Sequence, residues 1–319
     1  MCRVAVVIPA YNRENYLGEC LNSLIAQTHE NWHAIVIDDG SSDGTLELAR
    51  RYAEQDHRIE AHGFPNGRIA VARNRGLKMV PDDASYVMFL DSDDYLDPHA
   101  LKTLTDVLNE SPDAVGVYGL ARGVDATGTP LITDVTEAFG FNRDVIANGK
   151  HRTVTDDRPT TFANLVVWIC IETPGQVLIR TSAIRKTSGF DPETVPSEDW
   201  DMWLQLSMIG DFVFVRQFVM NKRAHASNIS SDGKVMARAE PAIRNKLAKL
   251  TKLSSEQRRI ARAGHRSSCA VKVDWARSDW RHGNRANAVR NVYRAYRSYV
   301  RFLKTWWHAE QNAADRNSA

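Results

Sequence analysis

Short apolar runs alternate with segments of helical period through the first hundred residues. Arg3–Pro9 (RVAVVIP) and Trp32–Ile37 (WHAIVI) are β-branched apolar runs of the kind that form buried parallel strands. Between them, Tyr16–Gln27 places Leu17, Leu21, Leu24 and Ile25 at helical spacing. Thr45–Tyr52 reads as a helix with Ser42 or Asp43 as its N-cap. Ile59–Ala61 is a third strand, Arg68–Met79 a helix, and Tyr86–Leu90 (YVMFL) a further strand. Strands separated by helices imply βαβ units in an open parallel sheet.

Beyond Asp94 the periodicity thins. Residues 123–160 are rich in Thr, Asp, Gly and Asn and read as a long loop region. Gln176–Ile179 and Phe212–Val215 are expected strands, and Trp200–Met208 an expected helix. From about Glu240 the pattern is wholly helical. Gly283-Asn284 breaks it into helices over roughly 255–282 and 286–308. The reading divides the chain into an α/β unit over 1–235 and a basic helical region over 236–319.

With 43% hydrophobic and 25% charged residues over 319 positions, the chain can bury a sizeable core. Disordered, collagenous and disulfide-scaffold classes are excluded. No apolar run approaches the ~18 residues of a spanning helix, and the N-terminus has no secretory pattern. Cys2, Cys20, Cys170 and Cys269 form no C-x-x-C pair and are expected as reduced thiols in the cytoplasm. The net charge of +2 hides an asymmetry. Residues 241–319 hold 18 Lys and Arg against 5 Asp and Glu, net +13, which leaves −11 on residues 1–240. An acidic body suits metal chemistry, and a basic tail suits an anionic partner.

Ligands in open α/β sheets bind at the carboxyl ends of the strands. Three polar clusters fall there: Pro9-Ala10-Tyr11-Asn12, Asp38-Asp39-Gly40-Ser41-Ser42 and Asp91-Ser92-Asp93-Asp94. Carboxylates at i and i+2 after a strand suit a hard divalent cation, Mg2+ or Mn2+, that keeps positions open for phosphates. Arg73, on the helix before the YVMFL strand, can pair with a diphosphate in a forked contact or remain a surface arginine.

Four segments, IPAYNRENYLGECLNSLIAQT (8–28), IVIDDGSSDGT (35–45), NGRIAVARNRGL (66–77) and FLDSDD (89–94), resemble in order and spacing the signature series of family 2 glycosyltransferases. GFDPETVPSEDWDMWLQL (189–206) resembles that family's acceptor-side segment, and Arg223, His225, Asn228 and Ser230 a later one. The resemblance covers about residues 1–230. It implies the GT-A fold, Rossmann-like, with a mostly parallel sheet flanked by helices, here followed by a helical C-terminal region.

The resemblance also implies roles. Pro9, Ala10 and Tyr11 would line the nucleotide pocket, with Tyr11 against the base. Asp39 would accept from the base, which favours uracil. Arg73 and Asn74 would lie near the diphosphate or ribose, with Ser92 also on the donor. Asp91 would hold the ribose or a metal-bound water, Asp93 would bind Mn2+ or Mg2+, and His225 could complete that sphere, touch the diphosphate or be a plain surface or core histidine. Asp199 would be the catalytic base, with Glu198 supporting it. The chemistry is coherent, because a sugar hydroxyl needs a carboxylate to take its proton. A departing nucleoside diphosphate needs cationic charge. One base opposite the leaving group gives in-line displacement with inversion. Glu198-Asp199 can also cap the helix that follows.

The expected function is therefore inverting, metal-dependent hexosyl transfer from a UDP-sugar to a carbohydrate or lipid-linked acceptor in polysaccharide or glycoconjugate biosynthesis. A sugar-phosphate nucleotidyltransferase is the enzymatic alternative, although Pro9-Ala10-Tyr11-Asn12 is not a Gly-rich phosphate loop. A non-catalytic scaffold acting through the basic tail is the other. In that tail, Val292, Tyr296, Tyr299, Leu303 and Trp306 form an apolar seam ending at Trp306-Trp307. Arg285, Arg290, Arg294, Arg297, Arg301 and Lys304 form a basic stripe beside it. The seam can pack on the body or on a second subunit of a homo-oligomer. It can instead lie on the inner face of a membrane, or the stripe can touch nucleic acid.

Overall fold

In the computed structural model, the described residues are 3–131, 143–147, 150–154, 158–167, 169–225, 233–250 and 253–317. An eight-stranded sheet runs through the body in the order β3-β2-β1-β4-β9-β6-β10-β5. The strands are β1 (Val4–Ala10), β2 (Trp32–Asp38), β3 (Ile59–Gly63), β4 (Tyr86–Phe89), β5 (Tyr95–Leu96), β6 (Gly116–Val124), β9 (Val177–Arg180) and β10 (Phe212–Arg223). Strands β7 (Arg143–Ala147) and β8 (Lys150–Val154) form a separate antiparallel hairpin.

Pairing among β3, β2, β1 and β4 is parallel, as is that of β6 with β10. β9 runs antiparallel between β4 and β6, and β5 antiparallel on β10. The sheet is thus mostly parallel, as expected, with β9 and β5 its antiparallel members. Pro9 sits where β1 pairs with Ile37 of β2 but has run past β4, so its missing N–H breaks no ladder on that side.

Alternate residues of β1 feed the two faces. Val4, Val6, Ile8 and Ala10 pack with α1 (Leu17–Ile25) and α4 (Ala100–Glu110). Ala5 and Val7 join the core on the opposite face with α3 (Ile69–Met79). α2 (Thr45–Gln55) flanks β3. A Cβ on Gly76 would come within 2.2 Å of Val7 Cγ1, so only glycine lets α3 lie this close to β1.

The α2 cap differs in detail from the expectation. Gly44 is the N-cap residue, and Asp43 Oδ1 accepts from the Thr45 N–H and Oγ1. The expected loop region 123–160 is corrected where it is described, because it carries the β7–β8 hairpin. Helix α4, with Leu101, Leu104 and Leu108 on one face, and β6 fall in the stretch that showed little periodicity. Gly116, Gly119 and Gly123 dilute the β signal of β6.

Past β6 come two short helices, α5 (Phe162–Leu165) and α6 (Thr181–Ile184), then α7 (Glu198–Ser207). Three longer helices end the chain: α8 (Gly233–Lys249), α9 (Ser255–Arg281) and α10 (Arg285–Asn317). Gly283, at φ +79°, makes the turn between the last two. Buried Arg244 of α8 donates to the carbonyls of Val166 and Val167, and Trp200 Nε1 donates to Leu165 O at 2.7 Å. The carbonyl end of α5 is thus the knot that joins α8 to α7. Asn228 and Ser230 lie outside the described residues, as do the side chains of Arg301 and Trp307.

Candidate active site

The loops after β1 and β2 are laced together. Asn12, at φ +51°, donates its N–H to Ser41 Oγ at 2.9 Å and accepts from the Ser42 N–H at 2.9 Å. The Arg13 N–H donates to Thr45 Oγ1 at 2.8 Å. This leaves Tyr11 at the mouth, 48% exposed. Asp39 is buried, and its Oδ1 accepts from the Gly67 N–H at 2.9 Å and from Arg75 Nη1 at 2.8 Å. Arg75 had no assigned role in the sequence.

After β4 the chain turns tightly, with the Asp94 N–H donating to Asp91 O at 3.0 Å. Asp94 is buried, and its carboxyl is pushed well above the usual range by burial and by the neighbouring charges of Asp93 and Asp91. Its Oδ1 accepts from the Arg223 N–H at 2.9 Å, while Arg223 Nε donates to Asp93 O at 3.1 Å. Asp93 Oδ2 receives two groups, Arg13 Nε at 3.0 Å and His225 Nε2 at 2.9 Å. The His225 ring stacks on Tyr16, centroids 5.0 Å apart.

Arg73 is not on the surface. It is buried and bridges two elements, with Nη2 2.6 Å from Asp91 Oδ1 and Nη1 2.5 Å from Glu198 Oε1. Among the described residues, Glu198 Oε2 has no hydrogen-bond partner. Both polar atoms of the Asn74 amide are engaged, Nδ2 donating to Phe190 O at 2.7 Å and Oδ1 accepting from the Phe190 N–H at 2.8 Å. The amide thus ties α3 to the segment before α7.

Asp199, on the first turn of α7, accepts the Trp200 N–H at 2.7 Å. The expected capping role is corrected: Ser197 is the N-cap residue of α7, with no side-chain capping bond, and Glu198 and Asp199 are the first two residues of the helix. Burial and the adjacent Glu198 charge push its carboxyl up to about 7, against the opposing pull of Arg73. A carboxyl at that value can take a proton near neutral pH.

Asp93 and His225 together form an oxygen–nitrogen pair that suits a divalent ion. The expected trio with Asp91 does not form, since among the described residues no three His, Cys, Asp or Glu side chains converge. Asp91 Oδ1 is committed to Arg73 instead. Two protein ligands fit Mg2+ or Mn2+ completed by phosphate oxygens and water.

The family model for glycosyl transferase family 2 matches residues 5–166, half of the chain. The chain belongs to glycosyltransferase family 2. Glycosyltransferase GlyA of Streptococcus pneumoniae serotype 4 is 39% identical over 118 residues, 36% of this chain and 17% of that protein. Chondroitin synthase of Pasteurella multocida is 28% identical over 227 residues, 71% of this chain and 21% of that protein. The family 2 chain thus spans about a fifth of the length of these curated relatives. Among solved structures, S. aureus TarS 1-349 in complex with UDP-GlcNAc superposes with TM-score 0.65 at 16% identity, covering 98% of this chain and 92% of that one. The Pyrobaculum calidifontis mannosyltransferase PcManGT, in complex with GDP-Man and Mn2+, gives 0.60 at 15% identity, covering 94% and 87%. The shared architecture is the GT-A fold, and the likeness extends through the C-terminal helices.

Proposed function

We propose that this family 2 member moves a sugar from a nucleoside diphosphate sugar, a UDP-sugar by preference, to an acceptor hydroxyl with inversion at the anomeric carbon. The observation that carries the reading is the Arg73 bridge. It ties the acidic turn after β4 to the first turn of α7, so a donor-side cluster and a carboxyl tuned near neutrality share one buried cation.

In this reading residues 1–235 are the catalytic unit and 236–319 an appended helical region. Pro9, Ala10 and Tyr11 line the nucleotide pocket, with Tyr11 stacking on the base. Asp39 accepts from the base ring N–H, held in place by Arg75. Ser92 and Asp91 sit on the sugar side of the donor. Asp93 and His225 hold Mn2+ or Mg2+, which when bound offsets the charge growing on the diphosphate. Arg13 adds a second positive charge beside Asp93. Asp199 takes the proton of the acceptor hydroxyl as that oxygen attacks. Glu198 keeps Arg73 in place and raises Asp199 to a useful basicity. The acceptor is a carbohydrate or a lipid-linked saccharide.

A panel of nucleotide sugars with and without Mn2+, read first by thermal shift and then by product release, tests the reading. A donor that binds stabilises the native state by mass action. UDP-sugars should raise the melting temperature, release UDP and give a product of inverted configuration. Release of pyrophosphate from a nucleoside triphosphate and a sugar phosphate would assign the chain to nucleotidyl transfer instead. No turnover of any sugar nucleotide would leave only a binding role.

A further inference from the structure

Helix α10 has two apolar faces and buries only one of them. Ala288, Ala295, Phe302 and Trp306 point inward; Phe302 is 5% and Trp306 3% exposed. Both lie on His265 of α9, with Phe302 edge-on at 5.2 Å and Trp306 Nε1 3.3 Å from Nδ1. The small alanines let the two helices approach closely. The seam at Val292, Tyr296, Tyr299 and Leu303 therefore faces solvent, and only its last member, Trp306, packs. Trp280 is 60% exposed and Tyr296 64%. Between the helices these residues border an open groove of about 800 Å3, floored by Ala276 and Ala288 and walled by Val273, Val289 and Val292.

The rim of this face carries one sign of charge. Arg277, Arg281, Arg285, Arg290, Arg294 and Arg297 are all exposed. The one acid among the described side chains of this stretch, Asp279, is half-buried and accepts from Asn291 Nδ2 at 2.8 Å. Arg285 lies over Trp280 and Arg297 over Tyr293, at 5.7 and 5.8 Å. Aromatic residues and aliphatic side chains ringed by guanidinium groups match the boundary between headgroups and hydrocarbon.

We propose that this outward face of the α9–α10 hairpin docks on a bilayer rich in anionic headgroups, with the groove taking hydrocarbon. A second copy of the same face fits poorly, because a two-fold contact would set arginines against arginines. Nucleic acid would use the tyrosines for stacking but leaves Val289, Val292 and Leu303 with nothing apolar to touch. The inference is independent of the catalytic reading, since lipid binding is measured without donor or acceptor.

The test is flotation of the whole chain with phosphatidylglycerol–phosphatidylcholine vesicles and with phosphatidylcholine alone, at low and high salt. Binding should need the anionic lipid and weaken with salt. Arg290→Glu, Arg294→Glu and Arg297→Glu combined should lower the partition coefficient about a hundredfold, at about fivefold per basic side chain. Val292→Asp with Tyr296→Asp should abolish insertion while leaving the Arg rim intact. All five positions are exposed, so an unchanged melting temperature confirms that the variants fold. The proposal is overturned if the wild-type chain does not float with anionic vesicles, or if it floats equally with phosphatidylcholine. It is also overturned if the two variants disrupt a dimer or oligonucleotide binding without altering flotation.

Discussion

The two carboxylate groups on either side of Arg73 are handled in opposite ways. On the strand side, Asp91 and Asp93 are each met directly by an arginine, and Asp93 also by His225. On the helix side, Asp199 has no side-chain cation at hydrogen-bond range in the contacts described; it has a backbone N–H and a neighbouring carboxylate. The first arrangement suits groups that must stay ionised to bind. The second suits a group that must change protonation. One buried guanidinium serves both, so its loss should erase the difference. Arg73→Met leaves Asp91 and Glu198 without their partner. Breaking a buried pair costs about 3–5 kcal/mol. We expect a matching loss in chemical denaturation and no measurable transfer. A variant that melts like the wild type would show that the two sides do not depend on this residue.

The next effects separate the sides. Asp199→Asn should lower kcat about a thousandfold, within the range that general bases contribute, with donor binding by thermal shift unchanged. Asp93→Ala should instead weaken Mn2+-dependent donor binding. If Asp199→Asn loses donor binding as Asp93→Ala does, the division of labour is wrong. The pH profile sharpens it further. Asp199 works as its anion, so kcat should fall as pH drops through about 7. Glu198→Gln removes a charge that raises Asp199, so the falling limb should move to lower pH. Stability runs the other way. A carboxyl raised by folding contributes stability below the ordinary carboxylate range and loses it as pH rises to about 7. Above that value Asp199→Asn should therefore melt higher than the wild type even though it is inactive.

Much of the strand side was legible in the sequence. β1, β2 and β4 are short apolar runs that end in polar clusters, and a parallel sheet puts such ends together. Asp93 and Asp39 stand out for that reason, whereas Glu198-Asp199 opens a helix and was marked only by the resemblance to family 2 glycosyltransferases. Partners from distant segments were not legible. Arg13 lies inside a quoted motif, but its contact with Asp93 spans 80 residues of chain. Arg73 gave a signal as a cation and none as a bridge, because the position of α7 against β4 is set by tertiary packing. Asn74 carries the same motif signal, yet its amide is consumed by the Phe190 backbone. The direction of α10 was ambiguous for a different reason. Its aromatic seam and its alanine-bearing face both repeat at helical period, and period alone does not say which one a neighbour can approach closely.

The smallest expected effect comes from the helices beyond the sheet. Lys246 of α8 donates to Asp191 Oδ2 at 2.6 Å and to Asp201 Oδ2 at 2.7 Å, pinning the segment before α7 and the second position after Asp199. Burial pushes the Asp201 carboxyl up, and Lys246 pulls it back. Lys246→Met should cost about 1.5 kcal/mol, the lower end for hydrogen bonds to charged groups. With the ammonium gone, the Asp201 carboxyl moves further up and takes a proton more readily, which limits the loss. Asp199 keeps the Trp200 N–H and Arg73 keeps Glu198, so kcat should change by less than tenfold. Denaturation and steady-state rates measured together decide the point. A collapse in rate comparable to that of Asp199→Asn would mean that α8 sets the geometry of the base, and that the helix side is built from the C-terminal region as much as from α7.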